Sequence, residues 1–137
     1  MRILNRIILP VFLFALLSFA PNYEGAAVSS SKGSLVINLS DASFDSVVSK
    51  GLVVVDFWAT WCHPCIKQGP VIEALANDFK EKVVFGKLDI DRNRATARRF
   101  VVRSIPTLIL FKDGKAVERI IGLTKKKELK KIIKKYL

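Results

Sequence analysis

The chain has 137 residues, and its 23 lysines and arginines against 12 aspartates and glutamates give a formal net charge of +11. That length allows one ordinary domain and excludes two. Half of the residues are hydrophobic, enough to bury a real core, and no nucleic-acid-binding motif accompanies the basic charge, which sets nucleic acid aside as a partner.

In chain order the first element is a targeting segment. Arg2 and Arg6 precede Ile7 to Ala20, which is apolar apart from Ser18 and is interrupted by Pro10. A short apolar run behind two positive charges is the pattern of a secretory signal peptide. A spanning helix needs about 20 apolar residues. An uncleaved membrane anchor through residues 7–20 is the alternative, since the two classes overlap at this length. Gly25-Ala26-Ala27 offers small residues before a cut, whereas the rival Ser18-Phe19-Ala20 is followed awkwardly by Pro21. Residues 1–27 are therefore read as the signal peptide, 28–33 as a flexible leader and 34–137 as the domain. Losing Arg2, Arg6 and Glu24 leaves a charge of about +10. The chain is expected in the periplasm or outside the cell.

Leu35 to Leu39 is the first expected strand. Ser40 and Asp41 stand as candidate caps for a helix carrying Phe44, Val47 and Val48 on one stripe and ended by Gly51. Leu52 to Trp58 is a nearly continuous apolar run, as in a central strand buried on both faces, and Asp56 interrupts it. Ile66 to Phe79 has Val71, Ile72, Leu75 and Phe79 on one side, with Pro70 expected to kink it. Val83 to Ile90 follows as a strand, and Arg92 to Val101 as a basic helix carrying Ala95 and Phe100. Thr107–Phe111 and Ala116–Ile121 form a hairpin across Asp113-Gly114. The last helix has Leu129, Ile132, Ile133 and Tyr136 at helical spacing. The order β-α-β-α-β-α-β-β-α predicts an α/β fold, with a mixed central sheet flanked by helices.

The positive charge collects in two places. Arg92, Arg94, Arg98, Arg99 and Arg103 form one cluster, and Lys125, Lys126, Lys127, Lys130, Lys131, Lys134 and Lys135 the other. Such charge suits acidic protein partners or an anionic membrane surface, and equally a plain solvated face.

Cys62 and Cys65 are the two cysteines. An oxidising compartment makes a structural disulfide the default. Yet a bridge closing so small a loop removes little entropy from the unfolded chain, so the pair is better suited to switching. At a strand–helix junction Cys62 meets unpaired amides and a partial positive charge, which favour its thiolate. Pro64 suits a first helical turn. Cys65 lies one turn inward and is expected to be the more shielded. A zinc site from Cys62, His63 and Cys65 is set aside, because a structural zinc wants four ligands and no second pair exists.

Trp58-Ala59-Thr60-Trp61-Cys62-His63-Pro64-Cys65 resembles the active-site signature of the thioredoxin family, with His63 replacing the commonest glycine. Asp56, Pro70, Lys87-Leu88-Asp89-Ile90-Asp91, Ser104-Ile105-Pro106-Thr107 and Gly122 extend the resemblance over residues 34–137. The resemblance implies the thioredoxin fold and a dithiol–disulfide exchange. In it Cys62 is the nucleophile, Cys65 the resolving thiol and Asp56 the group that takes the Cys65 proton, tuned by Lys87. It further implies that Pro106 is cis, that the Ile105 backbone pairs with bound polypeptide and that Trp61 meets the partner, while Trp58 belongs to the core. No cofactor is implied beyond the redox-active Cys62–Cys65 disulfide. His63 next to Cys62 would favour the thiolate and make a better oxidant if charged, or do nothing if simply exposed.

The leading expectation is an enzyme that reduces protein disulfides outside the cytoplasm as a monomer, fed by a membrane thiol-electron donor. Disulfide isomerisation is a close variant. A disulfide-forming oxidase is the second, disfavoured by Pro64 directly before Cys65 and by the lack of an inserted helical domain. A non-catalytic binding module is the third, opposed by intact Cys62, Cys65, Asp56 and Pro106.

Overall fold

The valine-rich run Leu52–Trp58 becomes the middle of the domain. In the computed structural model, which describes residues 33–137, its first six residues are buried. The expected signal segment and the leader up to residue 32 lie outside the described residues. The elements follow as β1 (Val36–Leu39), α1 (Phe44–Val48), β2 (Leu52–Trp58), α2 (His63–Asp78), β3 (Val84–Asp89), α3 (Arg94–Arg99), β4 (Thr107–Lys112), β5 (Lys115–Ile121) and α4 (Lys126–Lys134). This is the expected order, in one five-stranded sheet arranged β1-β3-β2-β4-β5. β1, β3 and β2 run parallel, whereas β4 and β5 are antiparallel to their neighbours.

Alternation along β2 and β4 supplies two cores, one on each face of the sheet. Leu52, Val54, Leu108 and Leu110 join Ile72 and Leu75 of α2 and Leu129 and Ile133 of α4. Val53, Val55, Phe57, Ile109 and Phe111 point the other way, onto Phe44 and Val48 of α1. Phe111 meets Phe44 and Phe100 edge-on, with ring centres 5.4 and 5.1 Å away. Such pairs add to the simple burial of the rings.

The hairpin closes as its sequence predicts. Asp113 and Gly114 both have positive φ, +48° and +83°, as a two-residue turn matched to strand twist demands.

The helix ends depart from expectation. α2 starts at His63, three residues before the expected Ile66, because Cys62 itself caps it, and it runs on through Pro70. α3 covers only Arg94–Arg99, and its buried residues are Thr96 and Ala97 rather than Ala95. Asp41, a candidate cap for α1, caps α3 instead. Its Oδ1 accepts the Thr96 N–H at 2.9 Å, while its own N–H donates to Asn93 Oδ1 at 2.9 Å. Hydrogen bonding to Thr96 holds the Asp41 carboxyl below its ordinary range. α1 is headed by Ser43 and Ser40, whose Oγ accepts the Ser43 N–H at 3.2 Å.

Candidate active site

β2 ends at Trp58, and the chain turns through Ala59-Thr60-Trp61 before α2 begins. The Cys62 N–H donates to Ala59 O at 3.1 Å, which fixes that turn. Cys62 is extended, with φ −86° and ψ 102°, and its Sγ accepts the Cys65 N–H at 3.2 Å. The sulfur thus stands where a helix N-terminus offers its free amides. Pro64 occupies the first turn, where a missing amide leaves nothing unbonded. Cys62 and Cys65 are joined by a disulfide, with their Cα atoms 5.2 Å apart. Both cysteines are buried, at 4% and 3% exposure, so the extra shielding expected of Cys65 is slight in these whole-residue figures. His63, by contrast, is exposed at the first helical position.

The loop before β4 supplies the opposite wall. The Ile105–Pro106 peptide is cis, as the resemblance implied. Ile105 O lies 3.7 Å from Cys62 Sγ. In the disulfide this is a contact; in the dithiol form a Cys62 S–H can donate there. Pro106 O accepts the Gly122 N–H at 2.8 Å, which ties this loop to the turn after β5. Trp61 is 68% exposed, its Nε1 donating to Asp91 Oδ2 at 2.7 Å. Trp58 packs against the cysteines together with Ile90 and Ile105, and Lys87 Nζ lies 5.6 Å from its ring centre.

Asp56 is buried on β2, and its Oδ1 has no hydrogen-bond partner among the described residues. Burial pushes its carboxyl up to about 7, with the nearby Lys87 charge pulling the other way. Lys87 stands in register with Asp56 on neighbouring β3. A cavity of about 220 Å³ is lined by Asp56, Cys65, Lys87, Trp58, Ile66 and Gly69. Asp56 and Lys87 give it polar groups, and it is roomy enough for water. The fold therefore brings Asp56, Lys87, Trp58 and Cys65 to one space, while Cys62 faces the Ile105 carbonyl of the cis-proline loop.

Gln68 was not among the expected site residues. It is fully buried, its Nε2 donating to Thr124 O at 3.2 Å and its Oε1 accepting the Thr124 N–H at 2.8 Å. The signal lay in its spacing, a polar residue three after Cys65 and four before Ile72 on the buried stripe of α2. Among the described residues no group of three or more His, Cys, Asp or Glu is placed to hold a metal ion.

The thioredoxin family model matches residues 35–135. Thioredoxins of Staphylococcus aureus strains Mu50 and MW2 are each 47% identical to this chain over 102 residues, covering 74% of it and 98% of their own length. A solved structure, a mutant thioredoxin from Halobacterium salinarum NRC-1, superposes with a TM-score of 0.69 at 36% identity. The match covers 76% of this chain and 93% of the other.

Proposed function

The chain belongs to the thioredoxin family and is a thiol–disulfide oxidoreductase that works through a redox-active disulfide; from that premise we propose that it reduces protein disulfides outside the cytoplasm. The observation that carries the chemistry is the shared cavity of Asp56 and Cys65, one wall away from the helix-capping Cys62. Cys62 attacks a substrate disulfide as thiolate, forming a mixed disulfide and releasing one substrate thiolate. Cys65 then gives its proton to Asp56 and attacks Cys62 Sγ, so the second substrate sulfur leaves with the bonding pair. Two electrons have passed to the substrate, and the Cys62–Cys65 disulfide remains. A carboxyl near 7 suits a group that must accept and return a proton at neutral pH. Trp61, Ile105 and Pro106 form the rim on which the substrate chain lies.

Pro64 before Cys65 supports the reducing direction, and Arg2, Arg6 and the apolar Ile7–Ala20 support export with a membrane thiol donor. Equilibration against glutathione tests the direction. A potential near about −270 mV fits a reductant, whereas one near about −120 mV overturns it in favour of a disulfide donor. N-terminal sequencing of the protein recovered from its host tests export, the expected first residue being Val28. A chain retaining Met1 in the cytoplasmic fraction overturns export.

A further inference from the structure

The arginines between Arg92 and Arg103 fall into two groups once their partners are identified. Arg92 stands 3.8 Å from Asp89. Arg99 holds Asp45 with both guanidinium nitrogens and lies over the rings of Phe44 and Phe100. Arg94, Arg98 and Arg103 have neither an ion-pair partner nor a side-chain hydrogen bond among the described residues. All three line one open cleft of about 350 Å³. Arg94 and Arg98 are four apart on α3, where like charges repel and weaken a helix.

The rest of the cleft is apolar. Ala97, Val102 and Ile90 form its covered wall, and Ile90 also packs against Cys62 and Cys65. Val101 is 56% exposed at the same cleft. It closes α3 with two backbone bonds: its own N–H to Arg98 O at 2.9 Å, and the Val102 N–H to Ala97 O at 3.0 Å. That end-motif needs a left-handed residue, ordinarily glycine, and Val101 takes it at φ +51°. A β-branched residue there is strained. Unopposed like charge and a strained, exposed valine are both local costs, and they meet at one place beside the disulfide.

We infer that this cleft selects substrates: it takes an acidic, extended protein segment next to the disulfide to be reduced. An apolar side chain of that segment seats against Ile90, Ala97 and Val101, and its carboxylates meet Arg94, Arg98 and Arg103. Asp91, whose Oδ2 accepts the Trp61 Nε1–H, makes no ion pair with them within 4.0 Å among the described residues. A concave cleft with a covered apolar wall fits a polypeptide better than a flat lipid surface. The inference deepens the proposed reductase function and rests on Cys62 being the attacking sulfur.

The test uses the oxidised full-length chain and a fluorescent, cysteine-free peptide of Asp and Glu residues around one Leu. This peptide is expected to bind at least about tenfold tighter than its Asn/Gln counterpart, as three exposed charge pairs allow. The gap closes at high salt and in the triple variant R94Q/R98Q/R103Q. Val101→Gly is expected to raise Tm by a few degrees yet weaken the acidic peptide several-fold. A higher Tm with unchanged affinity would leave the valine no part in binding and overturn its place in the proposal. Equal binding of the acidic and neutral peptides overturns the whole of it. So does preferential binding to phosphatidylglycerol vesicles that the triple variant loses, with no preference between peptides, which assigns the cleft to a lipid surface. A parallel assay on a small aromatic disulfide separates the two ideas. A chain that cannot reduce it fails as a reductase, while peptide binding still decides the cleft.

Discussion

Asp56 and Lys87 face each other in register across the parallel β2–β3 pair, yet no ion pair within 4.0 Å joins them among the described residues. The carboxylate gains too little from Lys87 to offset its burial, and one of its oxygens has no hydrogen-bond partner among those residues. Its folded carboxyl titrates near 7, against an ordinary value of 3.8 in the unfolded chain. The folded state therefore binds the proton more tightly than the unfolded state. Stability from this group is fully present below the unfolded value and is lost as pH rises through 7. Between pH 5 and pH 8 the oxidised protein should lose about 2–3 kcal/mol. Asp56→Asn removes the titration, so its urea midpoint should stay flat over that range and exceed wild type at pH 8. A wild-type midpoint that does not move between pH 5 and pH 8 would sink this account.

Lys87 acts on the same carboxyl from outside. Its charge is the one cause that lowers the Asp56 value against desolvation. Lys87→Met should therefore move the Asp56 titration upward, and with it the pH at which stability is lost. A carboxyl-carbon NMR titration of the oxidised protein reads this directly. An unchanged midpoint would mean that solvent in the cavity screens Lys87 entirely, leaving it no tuning role.

Local pattern accounts for what the sequence made legible. The buried run of β2, the Asp-Gly hairpin and the cysteine pair at a strand–helix junction are each complete within a dozen neighbouring residues, and all stand where expected. The roles of Asp41 and Gln68 are not legible in the sequence because their partners are remote. Asp41 meets Thr96 across 55 positions, and Gln68 meets Thr124 across 56. Periodicity says that a residue is buried or capping, but not which distant backbone it satisfies. Val101 falls inside the helix that the pattern predicts over Arg92–Val101, because valine gives no warning of a left-handed backbone.

Asn93 holds the β1–α1 loop to the start of α3. Its Oδ1 accepts the Asp41 N–H, and its Nδ2 donates to Asp89 O at 3.0 Å, at a site only 9% exposed. Asn93→Ala leaves the Asp41 N–H without its partner, removes one of the two donors to Asp89 O, which keeps the residue-93 backbone N–H, and releases Asp41 from the cap it makes on Thr96. A loss of about 1–3 kcal/mol in urea unfolding is expected. Faster hydrogen exchange should appear at Asp41 and Thr96 but not along β2. Exchange that rises equally everywhere would show a global loss of stability rather than a loosened cap.

Gln68 connects the active-site helix to the far side of the cis-proline loop. It bonds both backbone groups of Thr124, and Gly122, two residues earlier with φ +91°, donates its N–H to Pro106 O. Gln68→Leu keeps the apolar contacts of the α2 stripe but leaves the buried Thr124 N–H and C=O without partners. Two stranded backbone groups cost about 2–4 kcal/mol. Gln68→Glu keeps an acceptor for the Thr124 N–H; protonated it can still donate an O–H to Thr124 O, whereas ionised it loses that donor and buries a charge, so it should be milder at pH 5 than at pH 8. The local readout is hydrogen exchange at Thr124 and Gly122, which should quicken in Gln68→Leu before the core strands open. Because Gly122 bonds Pro106, loosening that turn should also raise KM for protein disulfides more than it lowers kcat. A Gln68→Leu protein with wild-type KM and slow exchange at Gly122 would show that the clamp serves stability alone.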